Sequence, residues 1–144
     1  MPGPGYEFLP HTTDAYIQAT GSTLEEALEY AGMALFDTMC DVKSISPELA
    51  EDVEVNGSDE IRLLYNWLES LLLKFELERK VYSKFQVTLA KNPSDSLRAS
   101  GRVFGEEYDR RKHGAKVEVK AVTFHRMEVS REGTTTILRF ILDL

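Results

Sequence analysis

The sequence predicts an α+β fold in two layers, a mixed or antiparallel β-sheet with two helices packed on one face and the other face left open. Two observations carry this. Only two stretches space their apolar residues as an amphipathic helix does, and every other patterned stretch alternates apolar with polar residues, the period of a half-buried strand. The 144 residues suffice for one domain that buries roughly two thirds of its unfolded surface. Residues 1–5, Met1-Pro2-Gly3-Pro4-Gly5, read as a flexible N-terminus and 6–144 as a single domain, with no internal repeat, low-complexity tract or linker.

Ala15, Ile17 and Ala19 alternate with Asp14, Tyr16, Gln18 and Thr20, a strand with one buried face that turns Asp14 away from the core. Ser22 with Glu25 three residues on reads as a capping box, and Leu24, Ala27, Leu28, Ala31, Leu35 and Met39 recur at helical spacing, so a helix is predicted from Thr23 to about Met39. Val53 and Val55 around Glu54 mark a short strand. Gly57 and Ser58 announce the second helix, whose apolar face is Ile61, Leu64, Tyr65, Leu68, Leu71, Leu72 and Phe75, with Trp67 and Leu73 off that stripe.

Two strands follow, with Phe85, Val87 and Leu89 inward in the first and Leu97, Ala99, Gly101 and Val103 inward in the second. A longer one places Val117, Val119, Ala121, Thr123, His125, Met127 and Val129 on the core face and Glu118, Lys120, Arg126 and Glu128 outside. The last turns Leu138, Phe140 and Leu142 inward and Arg139, Ile141 and Asp143 outward.

Composition excludes several classes. With 17 basic against 24 acidic residues and a formal charge of −7, the molecular field repels phosphate backbones, so direct RNA binding as the main role is disfavoured. Arg110-Arg111-Lys112-His113 is the one basic cluster and reads as a solvated loop. No apolar run approaches the roughly 18 residues a membrane span needs, and the start lacks the blocks of a signal peptide. Cys40, the single cysteine, cannot form an internal disulfide or a zinc knuckle, which fits a reducing cytoplasm. No Gly-x-Ser-x-Gly elbow, phosphate-binding glycine loop or pair of histidines at metalloenzyme spacing is present.

What remains is a set of acids at the chain's two ends, Asp14 and Asp143, with the carboxylate of Leu144. A hairpin centred on Glu132 and Gly133 places Asp143 opposite Val122, and Lys120 becomes a diagonal neighbour of Asp143 on the same face, about 7–8 Å away at the backbone. If the first strand neighbours the last, Asp14, Asp143, Leu144 and Lys120 share one polar patch. Crowded carboxylates call for a cation, and such hard oxygen ligands suit calcium or magnesium over zinc. They are too few for a closed cage, so waters or a partner's groups complete the shell. Read alone, Asp14 as a turn cap and Asp143 as an exposed tail is the commoner arrangement for such acids. His11 reads as a backbone-bonded histidine or part of the pocket, and His125 as a buried core group. A lysine beside two acids is held protonated, which suits binding rather than nucleophilic attack.

Taken in order, His11-Thr12-Thr13-Asp14, Gly21-Ser22-Thr23-Leu24-Glu25-Glu26-Ala27, Leu64-Tyr65-Asn66-Trp67-Leu68-Glu69, Val119-Lys120-Ala121-Val122-Thr123-Phe124-His125 and Asp143-Leu144 resemble the archease family. The resemblance runs from about Tyr6 to the last residue. Thr13 stands where alanine is usual and Phe124 where tyrosine is common. The resemblance implies a non-enzymatic activator of an RtcB-type tRNA-splicing RNA ligase, promoting its guanylylation and multiple turnover. Asp14, Asp143 and Leu144 would hold a divalent cation, calcium first and magnesium or manganese next. Lys120 would help order the partner's metal and nucleotide site, with His11 behind the pocket. Two other classes compete: a chaperone-like module for other tRNA-processing enzymes such as a tRNA methyltransferase, and a small metal-dependent hydrolase.

Overall fold

A computed structural model describes residues 3–11 and 13–144; Met1, Pro2 and Thr12 lie outside the described residues. The fold is α+β with two antiparallel sheets, where the sequence suggested one. The first sheet has the order β1-β2-β7-β6, from β1 (Gly5–Leu9), β2 (Ala15–Gly21), β6 (Ala121–Glu132) and β7 (Thr135–Asp143). The second has the order β3-β5-β4, from β3 (Leu49–Gly57), β4 (Lys80–Lys91) and β5 (Leu97–Glu107). Helix α1 (Leu24–Met39) packs on β2 and β4, and α2 (Glu60–Glu78) on β3 and β6, so each helix touches both sheets. A four-residue helix α3 (Arg110–His113) precedes β6. The strand at Gly5 begins inside the stretch expected to be flexible, and the carbonyl of Gly3 accepts from the Thr20 hydroxyl.

Both long helices start from the same junction. Gly21-Ser22-Thr23 leads into α1 and Gly57-Ser58-Asp59 into α2, with Thr23 and Asp59 as N-caps. Thr23 Oγ1 accepts from the Glu26 N–H at 3.1 Å and Asp59 Oδ1 from the Arg62 N–H at 2.8 Å. The capping box of α1 is therefore one residue later than predicted, and Glu26 reaches back to the Ser22 N–H at 2.8 Å. Each glycine is required by close approach: a Cβ on Gly21 would lie 2.5 Å from the Ala27 nitrogen, and one on Gly57 2.4 Å from that of Leu63. The strand can fold back over the first helical turn only without a side chain there.

Trp67, expected off the apolar stripe, is wholly buried. Because α2 faces two sheets, its apolar arc is wider than one sheet demands, and Leu63 and Trp67 extend it. The face of the first sheet turned from the helices is not open either. Tyr16, Gln18, Thr20, Ile137 and Ile141 are all buried there. One polar row crosses all four strands, Glu7 opposite Gln18, Gln18 opposite Arg139, Arg139 opposite Glu128. Arg139 Nε donates to Gln18 Oε1 at 2.9 Å and Gln18 Nε2 to Glu7 Oε1 at 3.1 Å. Such a row satisfies the Gln18 amide it buries.

The β6–β7 hairpin turns at Gly133 and Thr134, one residue later than predicted, with Glu132 opposite Thr135. The ladder then breaks: Glu128 faces Arg139 and Thr123 faces Ile141, so residues 124–127 stand against Phe140 alone. Three residues in excess is an odd number, and it reverses the parity of the β6 residues before it, Ala121 to Thr123. Asp143 accordingly faces Ala121, not Val122. Val122 is buried, Ala121 is exposed and His125 is exposed, each the reverse of the expectation.

An ion cluster ties α2 to the second sheet. Glu51 of β3 accepts from Lys74 Nζ at 3.0 Å, and also from Lys80 and from the buried Tyr82 of β4. Burial pushes the Glu51 carboxyl up, but these hydrogen bonds outweigh it and hold it at about 2, below the ordinary 4.5. A carboxyl depressed on folding stabilises the fold above its unfolded pKa and ceases to as pH falls through its folded value. Glu51→Gln is therefore expected to be destabilised at pH 7, with the deficit shrinking as pH falls from about 4.5 towards about 2. Urea unfolding of both proteins at pH 7, 4 and 3 measures it; a pH-independent deficit would contradict the assignment.

Candidate functional site

Among the described residues every buried side-chain nitrogen and oxygen has a hydrogen-bond partner, so no orphaned polar group marks an internal site. Chemistry must be sought at the surface, and register directs attention to one end of the first sheet. Leu9 faces Tyr16 across β1 and β2, Tyr16 faces Ile141 across β2 and β7, and Ile141 faces Thr123 of β6. Continuing both ladders beyond their last pairs puts His11, Asp14 and Asp143 in the next row on the same face, with Ala121 opposite Asp143. The strand that follows Asp14, β2, and the closing strand, β7, are neighbours, as an acid patch requires, although β2 is the second strand of the chain and not the first.

Hydrogen bonds tie this row together. The Asp14 N–H donates to His11 Nδ1 at 3.4 Å, which leaves Nε2 as the ring nitrogen carrying the proton. The Lys120 N–H donates to the Asp143 carbonyl at 2.7 Å. Lys120 thus lies beside Asp143 at the backbone, but one residue before β6 and in register with Leu144, so it has the opposite parity from Asp143 and is not the same-face diagonal neighbour expected from the unbroken hairpin. Asp14 and Leu144 are half-buried, while His11, Lys120 and Asp143 are exposed. His11 also meets Tyr16 edge-on, ring centroids 6.0 Å apart.

No group of three or more His, Cys, Asp or Glu side chains among the described residues could hold a metal ion. A closed zinc-type cage is therefore not formed by these side chains. Two carboxylates from opposed strand ends suit a hard cation that keeps much of its water, and the carboxylate of Leu144 is the next oxygen donor along the chain.

Sequence reasoning missed Arg126. Its guanidinium crosses β7 and lies over the Tyr16 ring, Cζ 4.8 Å from the centroid. The bulge that sends it there has no periodic signature, so only the run Phe124-His125-Arg126-Met127 within a strand-like stretch could have hinted at it. The basic cluster folds as α3, where Lys112 and His113 hold Glu106: Lys112 Nζ is 2.9 Å from Oε1 and His113 Nε2 2.7 Å from Oε2. His113 Nδ1 accepts the Asp109 N–H at 2.9 Å, so the wholly buried ring side chain is used up as a structural tie. Glu106 belongs to the second sheet, apart from the acid row. Burial pushes the Cys40 thiol up to about 11, leaving it inert. A cavity of about 710 Å³ lies between Phe75, Arg79, Tyr108, Lys116, Val117 and Val119. It contains none of the predicted site residues, though its wall at 115–119 leads directly into Lys120.

Comparison with known proteins supplies the lineage. The model of the Archease protein family (MTH1598/TM1083) matches residues 6–144. The protein archease of Sulfurisphaera tokodaii is 37% identical over 139 residues, covering 96% of this chain and 98% of its own length. That of Methanothermobacter thermautotrophicus is 39% identical over 140 residues, covering 97% and 99%. The solution structure of protein 1598 from Methanobacterium thermoautotrophicum superposes with a TM-score of 0.86 at 39% identity, covering 97% of this chain and 99% of that one. The crystal structure of a Thermotoga maritima archease, described as a possible chaperone, superposes with a TM-score of 0.61 at 18% identity and covers 100% of this chain and 98% of its own, a likeness of fold. No helix among the described residues is long and apolar enough to cross a membrane. With the family model matched across nearly its whole length and relatives above a third identical, the chain belongs to the archease family.

Proposed function

We propose that the protein is a non-enzymatic activator of an RtcB-type tRNA-splicing RNA ligase, raising the ligase's guanylylation and turnover through a divalent cation at the end of its first sheet. The observation that carries this reading is the row His11, Asp14 and Asp143, with Lys120 bonded to the Asp143 carbonyl, in a member of the archease family. Asp14, Asp143 and the carboxylate of Leu144 hold the cation, calcium first and magnesium or manganese next. The cation supplies a concentrated positive charge with water-filled positions that a partner's oxygen ligands can take. Lys120 faces the partner beside it as a second, mobile cation, and His11 orients the Asp14 backbone from behind.

Exposure of Asp143, Lys120 and His11 suits a surface that works on another protein. So does the lack of any nucleophile with an adjacent base among them. Added to a cognate ligase, wild-type protein is expected to raise guanylylation and the number of joined RNA ends per ligase. Asp14→Ala and Lys120→Ala are each expected to reduce that stimulation at least about tenfold while leaving the circular dichroism spectrum unchanged. A wild-type protein that leaves both ligase steps at their basal rate refutes the reading.

A further inference from the structure

The β6 bulge supplies a group that cation binding does not require. Its residues are held at three points. Phe124 stacks on Tyr65 of α2, ring centroids 4.0 Å apart and planes within 9°; the Thr123 hydroxyl accepts from the His125 N–H at 3.1 Å; Met127 is buried. Between these anchors Arg126 adopts a left-handed φ of 57°, a conformation that is uncommon for a side chain without a local bonding partner. Strain of this kind persists where the surroundings impose it, and it gathers at functional sites. Here it sets direction: the guanidinium reaches across β7 to lie over the Tyr16 ring, Cζ 4.8 Å from its centroid.

Tyr16 is two residues along β2 from Asp14, and its partner Ile141 is two residues along β7 from Asp143. Same-face residues on a strand are about 7 Å apart, so the guanidinium sits one side-chain row from the acids. No ion pair engages Arg126 among the described residues, as none engages Arg79, Arg98, Arg110 or Arg111, whereas Arg62, Arg102, Arg131 and Arg139 each meet a carboxylate; of the unpaired ones Arg126 alone stands beside the acid row. An aromatic platform on one side and a free fork of donors on the other is how arginine is presented to a phosphate. A magnesium-like ion held by one or two carboxylates characteristically completes its shell with phosphate oxygens.

We infer that Arg126 is an anion-binding residue, and that this end of the sheet takes a phosphate or polyphosphate group bridging the cation on Asp14 and Asp143 to the guanidinium over Tyr16. The inference rests on the cation site proposed above and names the ligand that accompanies the ion. The His11 ring, in the same row as the acids, is a further donor beside them.

Calorimetric titration separates the two claims. Mg2+ is titrated alone into wild-type protein, R126A and R126K; inorganic pyrophosphate is then titrated with and without saturating Mg2+, and acetate replaces it in a parallel arm. Wild-type protein is expected to bind pyrophosphate at least about tenfold more tightly with Mg2+ present, and R126A to keep wild-type Mg2+ affinity while losing about tenfold or more of the Mg2+-dependent pyrophosphate affinity. R126K recovers only part, because an ammonium lacks the planar fork and the stack. Acetate competes weakly. Mg2+ uptake with R126A binding Mg2+-pyrophosphate within twofold of wild type, or with acetate competing as well as pyrophosphate, overturns the role of Arg126 and leaves the cation site standing. Absence of both Mg2+ binding and, in a parallel titration, Ca2+ binding by wild type overturns the cation site itself, and the bridged phosphate with it. Arg126 is exposed, so R126A is expected to melt as wild type does.

Discussion

Replacing Trp67 with alanine is expected to remove about 4 kcal/mol of folding stability, the middle of the range for truncating a buried aromatic side chain. Trp67 is wholly buried where both helices meet the second sheet. Its Nε1–H donates to the Leu28 carbonyl of α1 at 2.9 Å, and its ring meets Phe85 of β4 edge-on at 6.3 Å. On the third side lies Gly101 of β5: a Cβ built there would be 2.6 Å from Trp67 Cη2 and 2.7 Å from Cζ3. The indole occupies the space that a side chain in the middle of β5 would otherwise fill. Gly101→Ala should therefore cost about 2 kcal/mol in the wild-type background, an overpacking penalty. In a Trp67→Leu background it should cost much less, because the smaller side chain vacates that space. A double-mutant cycle by urea unfolding, followed by far-ultraviolet circular dichroism, measures the coupling. Additivity of the two substitutions within about 0.5 kcal/mol would show that they do not share the site.

The pair also shows what the sequence could and could not tell. Gly101 stands in the interior of an alternating strand, where a glycine marks a bulge or the close approach of another group. That signal was present, yet the partner was invisible, because helical periodicity scored Trp67 against a single sheet and α2 packs against two. The two Gly-Ser junctions and the inward faces of β4, β5 and β7 were legible because each depends on residues a few positions apart, while the caps themselves fall one residue past the serines, at Thr23 and Asp59. The β6 bulge was not. Parity propagates along a strand only while the ladder is regular, and three extra residues inverted every assignment from Ala121 to His125. The polar row Glu7-Gln18-Arg139-Glu128 and the burial behind it escaped for a related reason: alternation distinguishes two faces, but it does not say that both will be covered.

The candidate site divides along the same line. Asp14 and Asp143 were identifiable as outward-facing acids, and the β2–β7 ladder, continued one step past Ala15 and Leu142, sets them opposite each other. Lys120 was placed beside Asp143 for a reason that fails, the unbroken hairpin; it lies there because its own N–H pairs with the Asp143 carbonyl after the bulge has shifted the register. Arg126 depends wholly on that bulge and on a left-handed backbone at a residue with no preference for it, so nothing local in the sequence points to it.

Asp143→Asn is expected to change sign in its effect on stability when a divalent cation is added. Without cation, Asp14 and Asp143 are like charges at opposed ends of an antiparallel pair, an arrangement that destabilises a sheet, so neutralising one should stabilise the protein by about 0.5 kcal/mol. The substitution leaves the backbone bond from Lys120 intact, since the acceptor is the Asp143 main-chain carbonyl. With cation, the balance reverses. A ligand bound only by the folded state stabilises it by about 2.7 kcal/mol at a concentration one hundred times its Kd, and by about 1.4 kcal/mol at ten times. A variant that binds about tenfold more weakly therefore gains about 1.3 kcal/mol less than wild type, which exceeds its advantage in chelator. Urea unfolding of both proteins in chelator and in millimolar Ca2+ or Mg2+ reads the crossover directly. Equal destabilisation of Asp143→Asn in the two buffers would mean that the carboxylate serves the fold and not an ion. A variant that is more stable in both would mean that the acids repel without a cation ever relieving them. Only a crossing of the two curves fits carboxylates whose cost to the apo fold is repaid by the ion between them.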